Sequence, residues 1–348
     1  MVSSSHYGLW FLGTMAMVGI LTNNLQKAGA QFVGVCYGAS GDLPPPHEVT
    51  LLPLHRALEA LRGSGIKLIF GLPNENLRQA ATDPSFVAEW VRTNVQAYFP
   101  AVDIGYIAVS KEVIPGPEAG NVLPAMQNVY NAIKSAGLQD SIKVSTSVAP
   151  TVIGTSYPPS AGSFSSESSS TMTSIVGFLS STEAPLLVNV YPYFSYIGNT
   201  RDIRLEYALF TANFDVVTDG QFRYRNLFDA MVDCVYAAME KVGGGEVPII
   251  ASESGWPSAG GVAATIDNAR TYNSNLVRHG GQGTPRRTGT PLEIYVFAMF
   301  NENKKAAGIE QNFGLFYPNK QPNFGLFYLN KQPVYDVNFP RESILKAK

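Results

Sequence analysis

Seven short runs rich in β-branched and aromatic residues alternate with amphipathic helical stretches, and this alternation restricts the chain to βα units around a parallel sheet. The strand candidates span 32–38, 67–74, 105–112, 143–150, 186–194, 247–256 and 294–302. Between them, Asp83-Pro84 reads as an N-cap with proline at the first helical position, and Phe86, Trp90, Val91 and Val95 mark one face. Residues 122–136 carry Met126, Val129, Tyr130 and Ile133 at helical spacing and stop at Gly137. Stretches 227–242 and 266–279 behave likewise. No Pro/Gly linker divides the chain. The pattern predicts one α/β domain, a (β/α)8 TIM barrel whose second strand is deleted or replaced. Only residues 39–66 separate the first two strands, room for one loop and one helix.

Both ends are unusual. Residues 9–21 (LWFLGTMAMVGIL) are apolar, and Ala28-Gly29-Ala30 precedes Gln31. This reads as a cleaved secretory signal over 1–30, although no Lys or Arg precedes the apolar run. The run falls short of the ~20 residues a membrane span needs. The domain then covers 31–340, with a tail at 341–348. NFGLFYPNKQP at 312–322 recurs as NFGLFYLNKQP at 323–333, a tandem duplication of a terminal segment. Residues 155–173 (TSYPPSAGSFSSESSSTMT) are Ser-rich and read as a loop.

Composition narrows the function. Hydrophobic residues are 45% of the chain, and 25 basic against 27 acidic side chains give a net charge of −2. That balance excludes disorder as the main description and gives no electrostatic pull toward nucleic acid. Cys36 and Cys234 read as buried free thiols. His6, His47, His55 and His279 lack ligand spacing, so no metal is expected, and no phosphate-binding or dinucleotide-binding glycine motif implies a cofactor.

Carboxylates carry the chemistry. Three strands end in glutamate: Glu112 after YIAVSK, Glu253 within IIASESGW and Glu302 in FAMFNEN. In a parallel barrel such ends converge on one rim. Two carboxyls across a cleft suit glycoside hydrolysis, one protonating the leaving oxygen while the other attacks or activates water. For any one of them, a salt bridge or helix cap is an equal reading. Tyr191, Tyr193, Phe194, Trp256 and Phe300 lie at the same ends and suit either stacking on sugar rings or packing in the core.

These residues bring out a resemblance. VGVCYG (33–38), ALRGSGIKLIFGLPN (60–74), KVSTSV (143–148), APLLVNVYPYFSY (184–196), YRNLFDA (224–230), SESGWPSAG (252–260), FAMFNEN (297–303) and FGLFYPNKQP (313–322) resemble plant glycoside hydrolase family 17, the endo-1,3-β-glucanases. The resemblance implies a secreted monomer that cuts internal bonds of 1,3-β-glucan with retention, such as callose or fungal wall glucan, in the apoplast, wall or vacuole. It implies Glu253 as nucleophile and Glu112 as acid/base. Glu302, Lys305 and Glu310 match a supporting cluster, while Tyr191, Phe194 and Phe300 match groove aromatics. Trp256 joins the same substrate-binding or supporting set.

Two departures stand out. The family writes Gly-Asn-Glu at the acid/base, and this chain writes Ser110-Lys111-Glu112. An ammonium at 111 would hold carboxylates in their charged form or pair with Glu253 and mask it. Family members also carry a further strand after VTLLPL, ending Tyr-Asp-Pro-Asn at the substrate face. Here HRALEALRGSG follows directly, so VTLLPL becomes a substitute strand or the fold is destabilised. The alternative function is therefore a glucan-binding barrel with impaired catalysis.

Overall fold

The computed structural model describes residues 15–18, 33–38 and 53–317. The core is a closed barrel of eight strands. They are β1 (Met15–Val18), β2 (Val33–Gly38), β3 (Lys67–Leu72), β4 (Asp103–Lys111), β5 (Lys143–Val148), β6 (Leu186–Asn189), β7 (Ile249–Ser254) and β8 (Ile294–Val296). Around the barrel the order is β1-β2-β8-β7-β6-β5-β4-β3, closing back on β1. Six of the pairings are parallel. β1 pairs antiparallel with both β2 and β3.

The expected replacement of the second strand is thus present, but its source differs from the one expected. Of VTLLPL only Pro53 and Leu54 lie among the described residues, and there Pro53 opens helix α1 (Pro53–Leu61). Proline favours a helix start and has no N–H for a sheet ladder. The gap is filled instead by residues 15–18, from the apolar run read as a signal.

The parallel strands show the burial expected of a barrel wall. β6 and β7 are buried at every position, since one face meets the interior and the other meets helices. Ile69, Leu187 and Ile250 fill the interior with Cys36, Ala108 and Tyr295. Their neighbours Leu68, Phe70, Leu186, Val188, Ile249 and Ala251 pack outward in the main core. Both cysteines are free and buried.

The helices begin where side chains can take up the first free N–H groups. In α3 (Pro84–Val91), the helix after α2 (Leu77–Thr82), Asp83 accepts from the N–H groups of Ser85 (2.9 Å) and Phe86 (3.1 Å). Val87 and Val91 of α3 turn inward, against α4 (Ala119–Ser135). The Ser-rich stretch is less of a loop than expected. Ile153–Thr155 and Ser163–Phe164 form a small antiparallel hairpin, and Ser169 opens α5 (Ser169–Thr182). Two further helices, α6 (Leu227–Lys241) and α7 (Ile266–His279), start at Asn226 and Thr265, each of which caps by side chain. The second duplicated copy and the 341–348 tail lie outside the described residues.

Candidate active site

Four neighbouring strands, β4, β5, β6 and β7, deliver the polar residues of the rim. Strict alternation along β7 would turn Glu253 outward, because Ile250 points in. The register with β6 slips here, with Ala251 opposite Val188 and Glu253 opposite Asn189. Two residues on β7 therefore answer one on β6, the mark of a β-bulge, which re-aims a side chain. Glu253 is accordingly turned into the barrel mouth, 2% exposed. The Tyr191 hydroxyl donates to its Oε2 at 2.8 Å. Gly255 just beyond has no room for a side chain, because a Cβ there would strike the Phe297 carbonyl.

A second register slip falls in β4 between Ala108 and Lys111. Ser110 and Glu112 both take left-handed backbone conformations there, with φ of 65° and 55°. Such conformations cost non-glycine residues about 1–2 kcal/mol each, and they gather at functional sites. Asn74 holds the turn in place: its Nδ2 donates to the Lys111 carbonyl (2.9 Å) and its Oδ1 accepts from the Lys111 N–H (2.7 Å). Glu112 is exposed, unlike Glu253.

Asn189, the last residue of β6, holds Glu112. Its Nδ2 donates to Glu112 Oε1 at 2.7 Å. Its Oδ1 accepts from the hydroxyls of Ser147 (3.0 Å) and Ser252 (2.8 Å), which stand 3.2 Å from each other. All three are fully buried or nearly so. With both hydroxyls on its oxygen, the amide has one orientation, N–H toward Glu112.

Lys111 is the departure with a visible consequence. Its ammonium lies 2.6 Å from Glu253 Oε1, a carboxylate almost closed to solvent. Burial pulls the ammonium down, but the carboxylates of Glu253 and Glu112 outweigh it and push it above the usual lysine value. The ammonium also stands 5.6 Å from the centre of the Phe297 ring, and Lys305 covers the same ring at 4.4 Å. Lys305 pairs with Glu302 at 2.7 Å. Burial pushes the Glu310 carboxyl up, opposed by Lys305 and Lys111 and reinforced by Glu302 and Glu112. The residues Glu112, Glu253, Glu302, Lys305 and Glu310 therefore stand within one electrostatic neighbourhood.

Of the aromatics expected at the rim, most are buried. Tyr191, Trp256 and Phe300 do not offer open faces to a sugar. Tyr191 is buried and edge-on to Phe194, Phe297 and Phe313. Trp256 is 0% exposed, edge-on to Tyr193 and tilted on Tyr272, with its Nε1 donating to the Ala263 carbonyl. Phe300 lies buried against Tyr37 and Phe316. Phe194 alone of the four is open, at 39%. Alternation along 186–194 could not show this, because β6 ends at Asn189 and Pro192 opens a short helix, Pro192–Gly198.

Sequence reasoning missed Asn74, Ser147, Asn189 and Ser252. Each sits in a block singled out above (GLPN, KVSTSV, NVYPYF, SESGWP), and each is a small polar residue at the end of an apolar strand, which was the available signal. Among the described residues, no group of three or more His, Cys, Asp or Glu side chains could hold a metal ion.

Comparison with known proteins points the same way. Residues 33–326 match the family described as Glycosyl hydrolases family 17. Glucan endo-1,3-beta-glucosidase B of Solanum lycopersicum is 48% identical over 97% of this chain and 98% of its own length. The basic vacuolar isoform GLB of the same enzyme in Nicotiana tabacum is 48% identical over 93% of each chain. Among solved structures, a β-1,3-glucanase and allergen of Cryptomeria japonica pollen superposes with a TM-score of 0.77 at 44% identity, over 82% of this chain and 87% of that one.

Proposed function

The chain belongs to glycosyl hydrolases family 17, and from that premise we propose that it is an endo-acting hydrolase of 1,3-β-glucans, throttled by Lys111. The observation that carries this reading is the pair of strand-end carboxylates at one mouth, Glu112 exposed and held by Asn189, Glu253 buried and held by Tyr191 and Lys111. Glu112 is the acid/base. It protonates the glycosidic oxygen as the bond to the anomeric carbon breaks. Glu253 is the nucleophile, and its carboxylate forms an ester with that carbon. Glu112 then takes a proton from water, which attacks the same carbon from the leaving-group side. Glu253 is released and the β configuration is retained.

The substrate class comes from the relatives, which are named as glucan endo-1,3-beta-glucosidases. Phe194, open at the rim, is the ring available to stack on a sugar. The chain acts as a monomer. The apolar run at 9–21 and the relative named as a vacuolar isoform support export to the wall or vacuole. Among the described residues no helix is long and apolar enough to cross a membrane.

The Lys111–Glu253 ion pair favours a second reading, a glucan-binding barrel with little turnover. One experiment separates the two: reducing-end release from a linear 1,3-β-glucan by the full chain, Glu253→Gln and Lys111→Asn. The expected result is slow release by the parent chain, none by Glu253→Gln, and a roughly 10- to 100-fold gain for Lys111→Asn. Retained binding with no release from either the parent or Lys111→Asn would discard the hydrolase reading.

A further inference from the structure

A second surface carries recognition chemistry away from the barrel mouth. α4 and α5 pack side by side on the outer wall, where the rings of Tyr130 and Phe178 stand edge to face, 5.8 Å apart and at 90°. Beside them opens a crevice of about 440 Å³, between Gln127, Asn128, Tyr130 and Asn131 of α4 and Phe178, Ser181 and Thr182 of α5. That volume falls within the roughly 300–1,000 Å³ of small-ligand clefts. Both rings are half-buried, while Gln127, Asn131 and Ser181 are exposed. Lys143, the first residue of β5, reaches the Thr182 carbonyl (3.4 Å), which sets this end of the crevice toward the floor of the barrel.

Charge is scarce on this wall. α4 and α5 run 17 and 14 residues and include one charged side chain, Lys134, against 15% in the whole chain. α7, also 14 residues long, carries Asp267, Arg270 and Arg278 on the same number of positions. What faces the crevice is amide, hydroxyl and ring. Asn128 Nδ2 donates to the Ala80 and Ala81 carbonyls of α2 (2.8 and 3.2 Å), which leaves its Oδ1 to accept. The hydroxyls of Ser181 and Thr182 donate to the Phe178 carbonyl (2.8 and 2.9 Å) and can accept as well. The amides of Gln127 and Asn131 and the Tyr130 hydroxyl have no hydrogen-bond partner among the described residues. An ionic ligand would find no counter-charge in this lining, and a wholly apolar one would strand the amides. A neutral sugar satisfies both, with hydroxyls on the amides and a C–H face on a ring.

We propose that the crevice between α4 and α5 is a second carbohydrate site, which holds a neutral glucan strand on the outer wall while another stretch of polymer lies at the mouth. The choice of a 1,3-β-glucan as that polymer rests on the function proposed above. Two weak contacts on one polymer reinforce each other, because the second forms at the effective concentration set by the first. The site therefore acts on long or insoluble glucan and is idle on a short soluble one.

Retention of the full chain on insoluble linear 1,3-β-glucan, measured in the cold by depletion from solution, tests this. Gln127→Glu combined with Asn131→Glu puts two charges on exposed positions one helical turn apart, outside both the core and the mouth. The apparent Kd should rise roughly 10-fold, while sugar release from a soluble 1,3-β-glucotetraose keeps the parent rate. Gln127→Ala combined with Asn131→Ala removes the amides without adding charge and should weaken retention in the same direction. An unchanged Kd in both variants overturns the proposal, and so does a parent chain that the glucan does not retain. Phe194→Ala reads the mouth separately. Retention lowered by the crevice variants but untouched by Phe194→Ala, with no release from the tetraose, would remove the hydrolase reading and leave the crevice as the binding site.

Discussion

The Lys111 ammonium lies 2.6 Å from the carboxylate assigned the attack on the sugar. That placement opposes the reaction twice. The transition state resembles an oxocarbenium ion, so positive charge grows beside an existing cation. The ester that follows is neutral, so Lys111 also loses its counter-charge. Losing a few kcal/mol of such pairing slows a step by one to two orders of magnitude, hence the size of the gain expected for Lys111→Asn. Alkali offers no relief, since the ammonium is held above the usual lysine value. Raising the pH to about 9 should therefore not unmask the parent enzyme. Asn189 gives a second prediction. Asn189→Asp keeps its shape but turns an N–H donor toward Glu112 into a carboxylate oxygen. In the Lys111→Asn background, kcat at pH 7 should fall about 100-fold, with partial recovery on acidification as the new pair takes up a shared proton. An unchanged pH–rate profile would count against Asn189 as the residue that positions Glu112.

The elements show how much could be read in advance. Strands were recognisable where both faces are buried, because apolar runs need no long-range information. Their ends were not: β6 stops at Asn189 because Pro192 turns the chain into a helix, yet Val190, Tyr191 and Tyr193 continue a strand-like pattern. Bulges were also hidden, and one of them decides which way Glu253 faces. The carboxylates stood out as charges ending apolar runs, whereas the Asn189–Ser147–Ser252 relay resembled ordinary loop chemistry. Within α6, Asp233 gives a test belonging to the element. It is fully buried and accepts from the Arg286 N–H at 2.9 Å. Burial pushes its carboxyl up to about 6, opposed by the nearby Thr284 and Tyr224 hydroxyls and by the Arg286 N–H. Between the unfolded value near 4 and about 6 the folded chain keeps a proton that the unfolded chain has lost. Stability therefore falls as pH rises through that window. In Asp233→Asn this fall disappears, so the variant should gain about 1–3 kcal/mol relative to the parent between pH 4 and pH 7, by chemical denaturation. A constant difference would show that Asp233 titrates normally.

At the scale of the whole molecule, seven strands share one direction and the eighth opposes them. A parallel strand hands its last residue to the catalytic rim, which is how Glu112, Asn189 and Glu253 arrive at one mouth. β1 does the reverse: its final residue, Val18, pairs with Val35 and Leu68 toward the starts of β2 and β3, at the far floor of the barrel. A strand can close a wall in either direction, but only one direction brings a side chain to the opening. The substitute therefore restores the wall without adding a residue to the mouth, whose polar residues all arrive from the parallel strands.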